Sequence, residues 1–572
     1  MTTFIRQGLA LGLVVALAAG AAQPSRAEGS LAGAYLAARQ AVQSNDFDEA
    51  SEYFFRALDL DPENPRLLEN AVLTAVAAGE FDRAITAARS LEESGVDSRM
   101  GQIVLLAHDI AEGRFAEARA SLEDRPRAGQ LVDGLITAWA YLGEGRVDDA
   151  LSVFDTVAET GGLRTFGRYH KALALATVGD FEGAEEILSG AAGEDLRLTR
   201  RGTLARLQIL SQLRRFDTAS EVIEARFGAD PEADIVALRA AVAAGESVPF
   251  DVARNPTEGV AEVFYTVAGA LQSEASDSFM LGFARMAQYL RPGHADAVLM
   301  VAELLERMDQ HDLATRAYDR IPREAAQYPA AQVGRAEALY RAGETDAALE
   351  LLAQLARTLP EAVEVHNARG DLLRNEGRFS EAATAYDRAV ALISEPEQRH
   401  WIIYYARGIS HERSGDWDAA EADFRQALDL NPGQPHALNY LGYSMLEMGI
   451  NLDEALDMIQ RAVEAEPSNG YITDSLGWAQ YRLGQYEEAV ETMERAVELE
   501  PADPIINDHL GDVYWAVGRM REAEFQWRRA LSLGPAEDLD MDRIRRKLEI
   551  GLDRVLEEEG AAPLERITAN GG

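Results

Sequence analysis

Small and aromatic residues recur along this chain at a spacing far longer than the two-residue alternation of a strand. The phrase Gly-x-Phe/Tyr-x-x-Ala appears at Gly79-Glu-Phe81-Asp-Arg-Ala84, Gly113-Arg-Phe115-Ala-Glu-Ala118, Gly179-Asp-Phe181-Glu-Gly-Ala184, Gly377-Arg-Phe379-Ser-Glu-Ala382 and Gly484-Gln-Tyr486-Glu-Glu-Ala489. Its alanine falls at Ala50, Ala84, Ala118, Ala150, Ala184 and Ala219, then at Ala314, Ala348, Ala382, Ala420, Ala455, Ala489 and Ala523, most often 34 residues apart. An aromatic often follows four residues later (Phe54, Phe154, Tyr318, Tyr386, Phe424, Trp527). A proline often follows twelve later (Pro62, Pro231, Pro360, Pro432, Pro467, Pro501, Pro535). Such a period predicts two antiparallel helices. Small residues at repeat position 8 (Ala302, Gly370, Gly408, Gly442, Gly477, Gly511) and alanine at position 20 let the two helices approach. Alanine at position 27 (Ala57, Ala389, Ala427, Ala462, Ala496, Ala530) leaves room for the next repeat. Proline at position 32 stops the second helix, because it has no N–H to donate and disfavours helix in the residue before it. One pair cannot bury its apolar face alone, so stacked neighbours must supply the core.

This pattern resembles the tetratricopeptide repeat family over nearly the whole chain after residue 30. The resemblance implies an all-α, right-handed α-solenoid of about fourteen helix pairs with a C-terminal capping helix. The alanine ruler is interrupted between Ala219 and Ala314, and one repeat fits the gap at 261–294, with Met280 in the alanine position. Ahead of that repeat, Gly245, Pro249, Pro256 and Gly259 read as turn and breaker signals. The expected division is an N-terminal array at 31–234, an irregular break at 235–260, a C-terminal array at 261–535, and a cap and tail at 536–572. Within the last segment, Met541 to Glu559 reads as one long amphipathic capping helix.

Residues 1–27 read as a secretory signal peptide. Arg6 supplies the positive start, Leu9 to Ala19 an apolar core too short to span a membrane, and Ser25-Arg26-Ala27 a small-x-small cleavage site. Removal of Arg6 and Arg26 takes the formal charge of -41 to -43. The expected location is the periplasm, with no membrane anchor after processing. The chain has no cysteine, which excludes disulfides, cysteine–zinc sites, a thiol nucleophile and a lipid-modified cysteine. With 96 acidic against 55 basic residues, nucleic acid is not an expected partner, because phosphate contacts need clustered Lys and Arg. Only two residues, Lys171 and Lys547, are lysines.

No catalytic constellation emerges. His411-Glu412 opens like a zinc-protease motif, but Gly415 stands where the second histidine belongs. Neither lysine follows Ser-x-x. Asp538, Asp540, Asp542 and Glu549 match four positions of a calcium loop, yet Arg543 replaces the glycine of its sharp turn. These acids read instead as complements to the N-terminus of the capping helix. No cofactor, metal or catalytic residue is expected.

The resemblance implies that the first helix of each repeat lines a concave groove through positions 2, 5, 9, 12 and 13. In the last five repeats this gives candidate partner-binding residues Asn367, Arg374, Asn375, Tyr405, Arg413, Asn439, Tyr443, Trp478, Tyr481, Arg482 and Trp515, with acidic neighbours that include Asp371, Asp474, Asp508 and Asp512. Tyr, Trp, Asn and Arg combine apolar area with directional hydrogen bonds. The alternative for Trp478, Tyr481 and Trp515 is that they fill the space between adjacent repeats. The lysine–asparagine clamp by which some such grooves hold a peptide's terminal carboxylate lacks its lysine here. The negative charge instead favours a basic or apolar protein or peptide.

The run from Leu438 through Ala523, including Asp474-Ser-Leu-Gly-Trp478-Ala-Gln-Tyr-Arg-Leu-Gly and His509-Leu-Gly-Asp-Val-Tyr514-Trp, is similar to repeats of bacterial envelope adaptor proteins that hold a carboxyl-terminal processing protease with its substrates. Those adaptors are lipoproteins, and this chain lacks the lipobox cysteine. The expected function is a non-catalytic exported scaffold. The alternative is a self-assembling structural array organising the envelope.

Overall fold

The computed structural model describes residues 30–124, 128–190, 196–228, 233–271, 275–536, 539–561 and 564. The expected signal peptide at 1–27 and Asp538 of the calcium-like pattern lie outside the described residues. The described regular structure is entirely helical. The first helices are α1 (Leu31–Gln43), α2 (Phe47–Leu60), α3 (Pro65–Ala78), α4 (Phe81–Glu93), α5 (Arg99–Ala111), α6 (Phe115–Asp124), α7 (Gln130–Gly143), α8 (Val147–Glu159), α9 (Arg164–Thr177), α10 (Phe181–Leu188), α11 (Arg200–Gln212), α12 (Phe216–Phe227) and α13 (Ala233–Ala243). After an irregular stretch come α14 (Pro256–Ala270), α15 (Asp277–Leu290), α16 (Ala295–Arg307), α17 (His311–Tyr318), α18 (Tyr328–Arg341) and α19 (Thr345–Thr358). The chain continues with α20 (Val363–Asn375), α21 (Phe379–Leu392), α22 (Trp401–Arg413), α23 (Trp417–Leu430), α24 (Pro435–Met448), α25 (Leu452–Ala465), α26 (Gly470–Arg482), α27 (Tyr486–Leu499), α28 (Pro504–Ala516), α29 (Met520–Leu533), α30 (Met541–Ile550) and α31 (Leu552–Glu558). Among the described residues, helices α1–α12 make six pairs and α14–α29 eight, matching the about fourteen pairs that the repeat grammar implies.

Local chemistry explains the helix ends. Six of the prolines at repeat position 32 stand two residues past the last helical residue, as in Pro62 after α2, Pro467 after α25 and Pro501 after α27. Asn64 and Asp503 then cap α3 and α28, accepting from the N–H groups of Arg66 and Leu67 and of Ile505 and Ile506. Pro65 and Pro504 occupy the first helical position, where the missing N–H costs nothing. The small residues at position 8 do what the pattern requires. A Cβ added at Gly370 would stand 2.5 Å from the Tyr386 ring, and one at Gly408 2.8 Å from that of Phe424.

The described residues form two compact units that divide between Ala348 and Leu349, within α19. The expected break at 235–260 contains the end of α13, an irregular stretch and the start of α14. Only the stretch from Ala244 to Asn255 is irregular. Pro256, read as a breaker, is the first residue of α14, capped by Asn255, whose side chain accepts from Glu258 N–H at 3.0 Å. Gly259 lies buried inside that helix.

The physical reason that α14 and α15 belong with the first unit is that they fold back across it. Helix α14 packs on the first helices α5, α7 and α9, and α15 on α3 and α5. Gly259 sits on the fully buried Trp139 of α7, where a Cβ would overlap the indole. Arg285 of α15 is buried and donates to the Ala77 carbonyl at 2.9 and 3.1 Å, satisfying the C-terminal end of α3. Arg201 of α11 forks onto Glu262 of α14, which has no solvent-exposed side-chain surface, and reaches Asp296 at 2.5 Å. Burial alone would raise the Glu262 pKa, but Arg201 outweighs it and holds the carboxyl far below its usual range. The face that a free array would present is therefore filled by the unit's own helices.

In the second unit, the first helices of successive pairs adjoin one another, α20 to α22 and α24 to α26 to α28. The expected single capping helix is instead two, α30 and α31, separated at Gly551. That residue adopts φ +81°, and a Cβ there would lie 2.6 Å from the Trp515 ring. The bend is made where only glycine fits. Asp540, part of the calcium-like pattern, caps α30 by accepting from Arg543 N–H at 2.8 Å.

Candidate functional site: the first-helix face of the second unit

Eleven residues were expected to share this face, and all of them lie on first helices. Asn367 donates to Asp371 at 2.9 Å, while Tyr386 donates to the other oxygen of Asp371 at 2.8 Å. Burial pushes the Asp371 carboxyl above its usual pKa despite those hydrogen bonds. Arg374 donates to the Tyr386 hydroxyl at 3.4 Å, and Asn375 is exposed at the end of α20. Tyr405 packs edge-on against Tyr440, with ring centres 6.1 Å apart, and against Phe424. The Tyr440 hydroxyl in turn donates to Glu412 at 3.2 Å. Arg413 is exposed and lies 5.2 Å from the centre of the Phe379 ring. Asn439 and Tyr443 are half-buried on α24. The side-chain oxygens of Asn367 and Asn439 are buried without a hydrogen-bond partner.

The densest group surrounds Trp478. Its ring stacks on Tyr481 at 4.8 Å and on His509 at 4.1 Å, and its indole N–H donates to Glu447 at 2.9 Å. Arg482 donates to the same Glu447 oxygen at 3.0 Å. His509 lies 3.1 Å from both oxygens of Asp474. Burial works against a charge on His509, but Asp474 outweighs it, so the imidazole pKa is raised.

Two candidates are enclosed by neighbouring elements. Tyr481 is 8% exposed and packs on Tyr486 of the following helix, so it fills space between helices. Trp515 lies beneath the cap, with its N–H donating to Asp553 at 3.1 Å and Gly551 against its ring. Asp508 and Asp512, on the same helix as Trp515, hold Lys547 of α30 at 2.7 to 2.9 Å. The first-helix face thus remains open from α20 to α26 and is covered by the cap at α28. Glu447 was not among the expected residues of this face, and His509 stood only within the run from Leu438 through Ala523. A signal for His509 existed, since it follows Trp478 at the interval by which His170 follows Trp139.

Chemically, this face offers amide and guanidinium donors, aromatic area and carboxylates, each held by neighbours. Among the described residues, no group of three or more His, Asp or Glu is placed to hold a metal ion. Among them too, no helix is long and apolar enough to cross a membrane.

Residues 35–98, 333–395 and 405–470 match a family model described as tetratricopeptide repeat, and residues 477–518 match one described as TPR repeat. The chain is 28% identical over 156 residues to the TPR repeat-containing protein PA4667 of Pseudomonas aeruginosa, covering 27% of this chain and 26% of that one. It is 32% identical over 107 residues to the photosystem I assembly protein Ycf3 of Rippkaea orientalis, covering 16% of this chain and 61% of the relative. The match therefore spans about a quarter of the length of the first relative and under two thirds of the second. Among solved structures, a crystal structure of an APC/C hetero-tetramer, Cut9-Hcn1, is similar over 91% of this chain and 96% of that one, at 14% identity and a TM-score of 0.38. A crystal structure of MamA protein covers 31% of this chain and 94% of its own, at 21% identity and a TM-score of 0.28.

Proposed function

We propose that this chain, which belongs to the tetratricopeptide repeat proteins, is a non-catalytic scaffold that holds a protein or peptide partner on the first helices α20–α26 of its second unit. The observation that carries this reading is the pattern of occupation. The corresponding face of the first unit is filled by α14 and α15, and that of the last repeat by α30 and α31. What stays open combines Asn367, Arg374, Tyr405, Arg413, Asn439, Tyr443, Trp478 and Arg482, residue types that concentrate binding energy. The partner is basic or apolar, in keeping with the net negative charge. The signal-like N-terminal segment supports export to the cell envelope, where a protease and its substrates are one set of partners such a scaffold can unite.

The test is affinity capture from an envelope fraction with the full chain and with Trp478→Ala/Arg482→Glu. Both substitutions lie on the open face, and circular dichroism checks that the variant is folded. Partners recovered by the wild type and lost by the variant are expected. An unchanged set, or none with either protein, overturns the reading.

A further inference from the structure

The two units carry the same side-chain pair at the same repeat position. Counting back from Ala150 and Ala489, each at position 20, places Trp139 and Trp478 both at position 9. His170 and His509 both stand at position 6 of the repeat that follows. The geometry of the pair differs between the units. In the first, His170 stands at the edge of Trp139 at an interplanar angle of 89°, and accepts from its indole N–H at 3.2 Å. The indole face is thereby free, and Gly259 of α14 lies on it. In the second, His509 lies flat against Trp478 at 16° and 4.1 Å, and the indole N–H turns to Glu447 instead.

A second observation points the same way. Three tryptophans stand at first-helix positions 9 or 12: Trp139, Trp478 and Trp515. Two of them receive a glycine from a segment of the chain laid over the first-helix face, Gly259 on Trp139 and Gly551 on Trp515. Glycine brings the covering backbone against the indole with no side chain between, so the contact is close. Trp478 alone of the three carries a histidine from its own repeat array in that place.

Charge completes the case. The helix seated on Trp139 carries Glu262, which meets Arg201 from the array. Around Trp478 the carboxylates belong to the array: Glu447 accepts from the indole and from Arg482, and Asp474 holds His509. In the last repeat, the covering segment brings Lys547 to a pair of aspartates.

We propose that Trp478 is a seat for a partner's α-helix that carries a glycine or alanine flanked by basic residues, and that His509 covers this seat until such a helix displaces it. The proposal rests on the groove reading above and gives the partner segment its secondary structure and charge. Binding then exchanges one stacking contact for a larger one, with His509 moving to the edge position that His170 occupies.

The probe is a synthetic peptide of residues 254–271 carrying Glu258→Lys and Glu262→Lys, titrated into the full-length protein and followed by calorimetry. It keeps the Gly259 seat of α14 and reverses the charge that faces Arg201. Saturable binding is expected. It should weaken about tenfold or more with Trp478→Ala, with Glu447→Arg, and with a probe in which leucine replaces Gly259. His509→Ala should do the opposite and tighten binding several-fold, because the competing cover is gone. Glu447 is exposed on the surface, so its variant keeps the test sound if Trp478→Ala proves poorly folded. No saturable binding, equal binding of the unmodified acidic peptide, or weaker binding by His509→Ala overturns the proposal. If affinity capture still yields partners that depend on Trp478 and Arg482 while the helical probe fails, the scaffold reading stands and this inference alone falls.

Discussion

Replacing Lys547 with methionine should expose how the cap is held. The lysine side chain has no solvent-exposed surface, and its ammonium lies 2.8 and 2.9 Å from the two oxygens of Asp508 and 2.7 and 2.9 Å from those of Asp512. Those aspartates are one turn apart on α28, and Asp512 has a 2%-exposed side chain. Methionine preserves most of the volume but leaves two neighbouring carboxylates buried with less compensation. Asp512 keeps the Trp527 indole N–H at 2.9 Å and the more distant Arg543, whereas Asp508 loses its main counterion. Orphaning one side of a buried ion pair costs about 3–5 kcal/mol, and that is the deficit expected at neutral pH. Burial and the Asp512 charge already raise the Asp508 pKa in the native protein, against the pull of Lys547. A raised carboxyl pKa stabilises the fold below the unfolded value and loses that contribution as pH rises through the folded value. The deficit should therefore shrink as pH falls through the raised Asp508 pKa, which lies above the ordinary carboxylate value of about 3.9. Adding Asp508→Asn should recover most of it at pH 7, since one buried charge is gone. Because a repeat array unfolds in parts, the assay is amide hydrogen exchange across 504–558, supported by urea unfolding. Protection within about 1 kcal/mol of wild type at pH 7, or a deficit unaffected by pH and by Asp508→Asn, would refute the reasoning.

The first unit supplies two more expectations. Gly259→Ala forces the indole of Trp139 and α14 apart, and should destabilise the unit by about 1–3 kcal/mol; an unchanged thermal melt would show that the seat is loose. His170 is fully buried, and burial lowers its pKa from 6.5 to about 4. A depressed histidine pKa contributes stability above the unfolded value that is lost as pH falls through the folded one. The unit should thus lose about 3 kcal/mol between pH 6.5 and 4, and His170→Gln should flatten that slope in denaturant titrations at successive pH values.

The repeat architecture is legible because each rule of the period acts within a pair or between adjacent pairs. Gly370 must be small because Tyr386 lies over it, and Gly477 because Met493 does; both partners are one helix away. The fold-back of α14 and α15 has no such local signature. That pair obeys the same grammar as the others, and its distinguishing residues, Pro256 and Gly259, are punctuation in most contexts. Only the indole of Trp139, 120 positions earlier, turns Gly259 from a breaker into a packing residue. Propensity reports the cost of a glycine in a helix, whereas the compensating contact is tertiary.

The same distinction governs the binding face. Periodicity states which side of a helix a residue stands on, and it places all eleven candidates on first helices. It is silent on what is laid over that side. Tyr481 and Trp515 obey the groove register as well as Trp478 does, yet one is enclosed by Tyr486 and the other by Gly551. The informative quantity is therefore the register of a residue together with the identity of its cover. By that measure, Trp139 under α14, Trp515 at the bend between α30 and α31, and Trp478 under His509 are three versions of one device. Of the two lysines, Lys171 pairs with Asp155 within the array, whereas Lys547 stands where a first-helix face meets a covering helix. A partner that replaces His509 would have to bring what α14 and the cap bring: backbone close enough to lie on an indole, and a charge opposite to the rim.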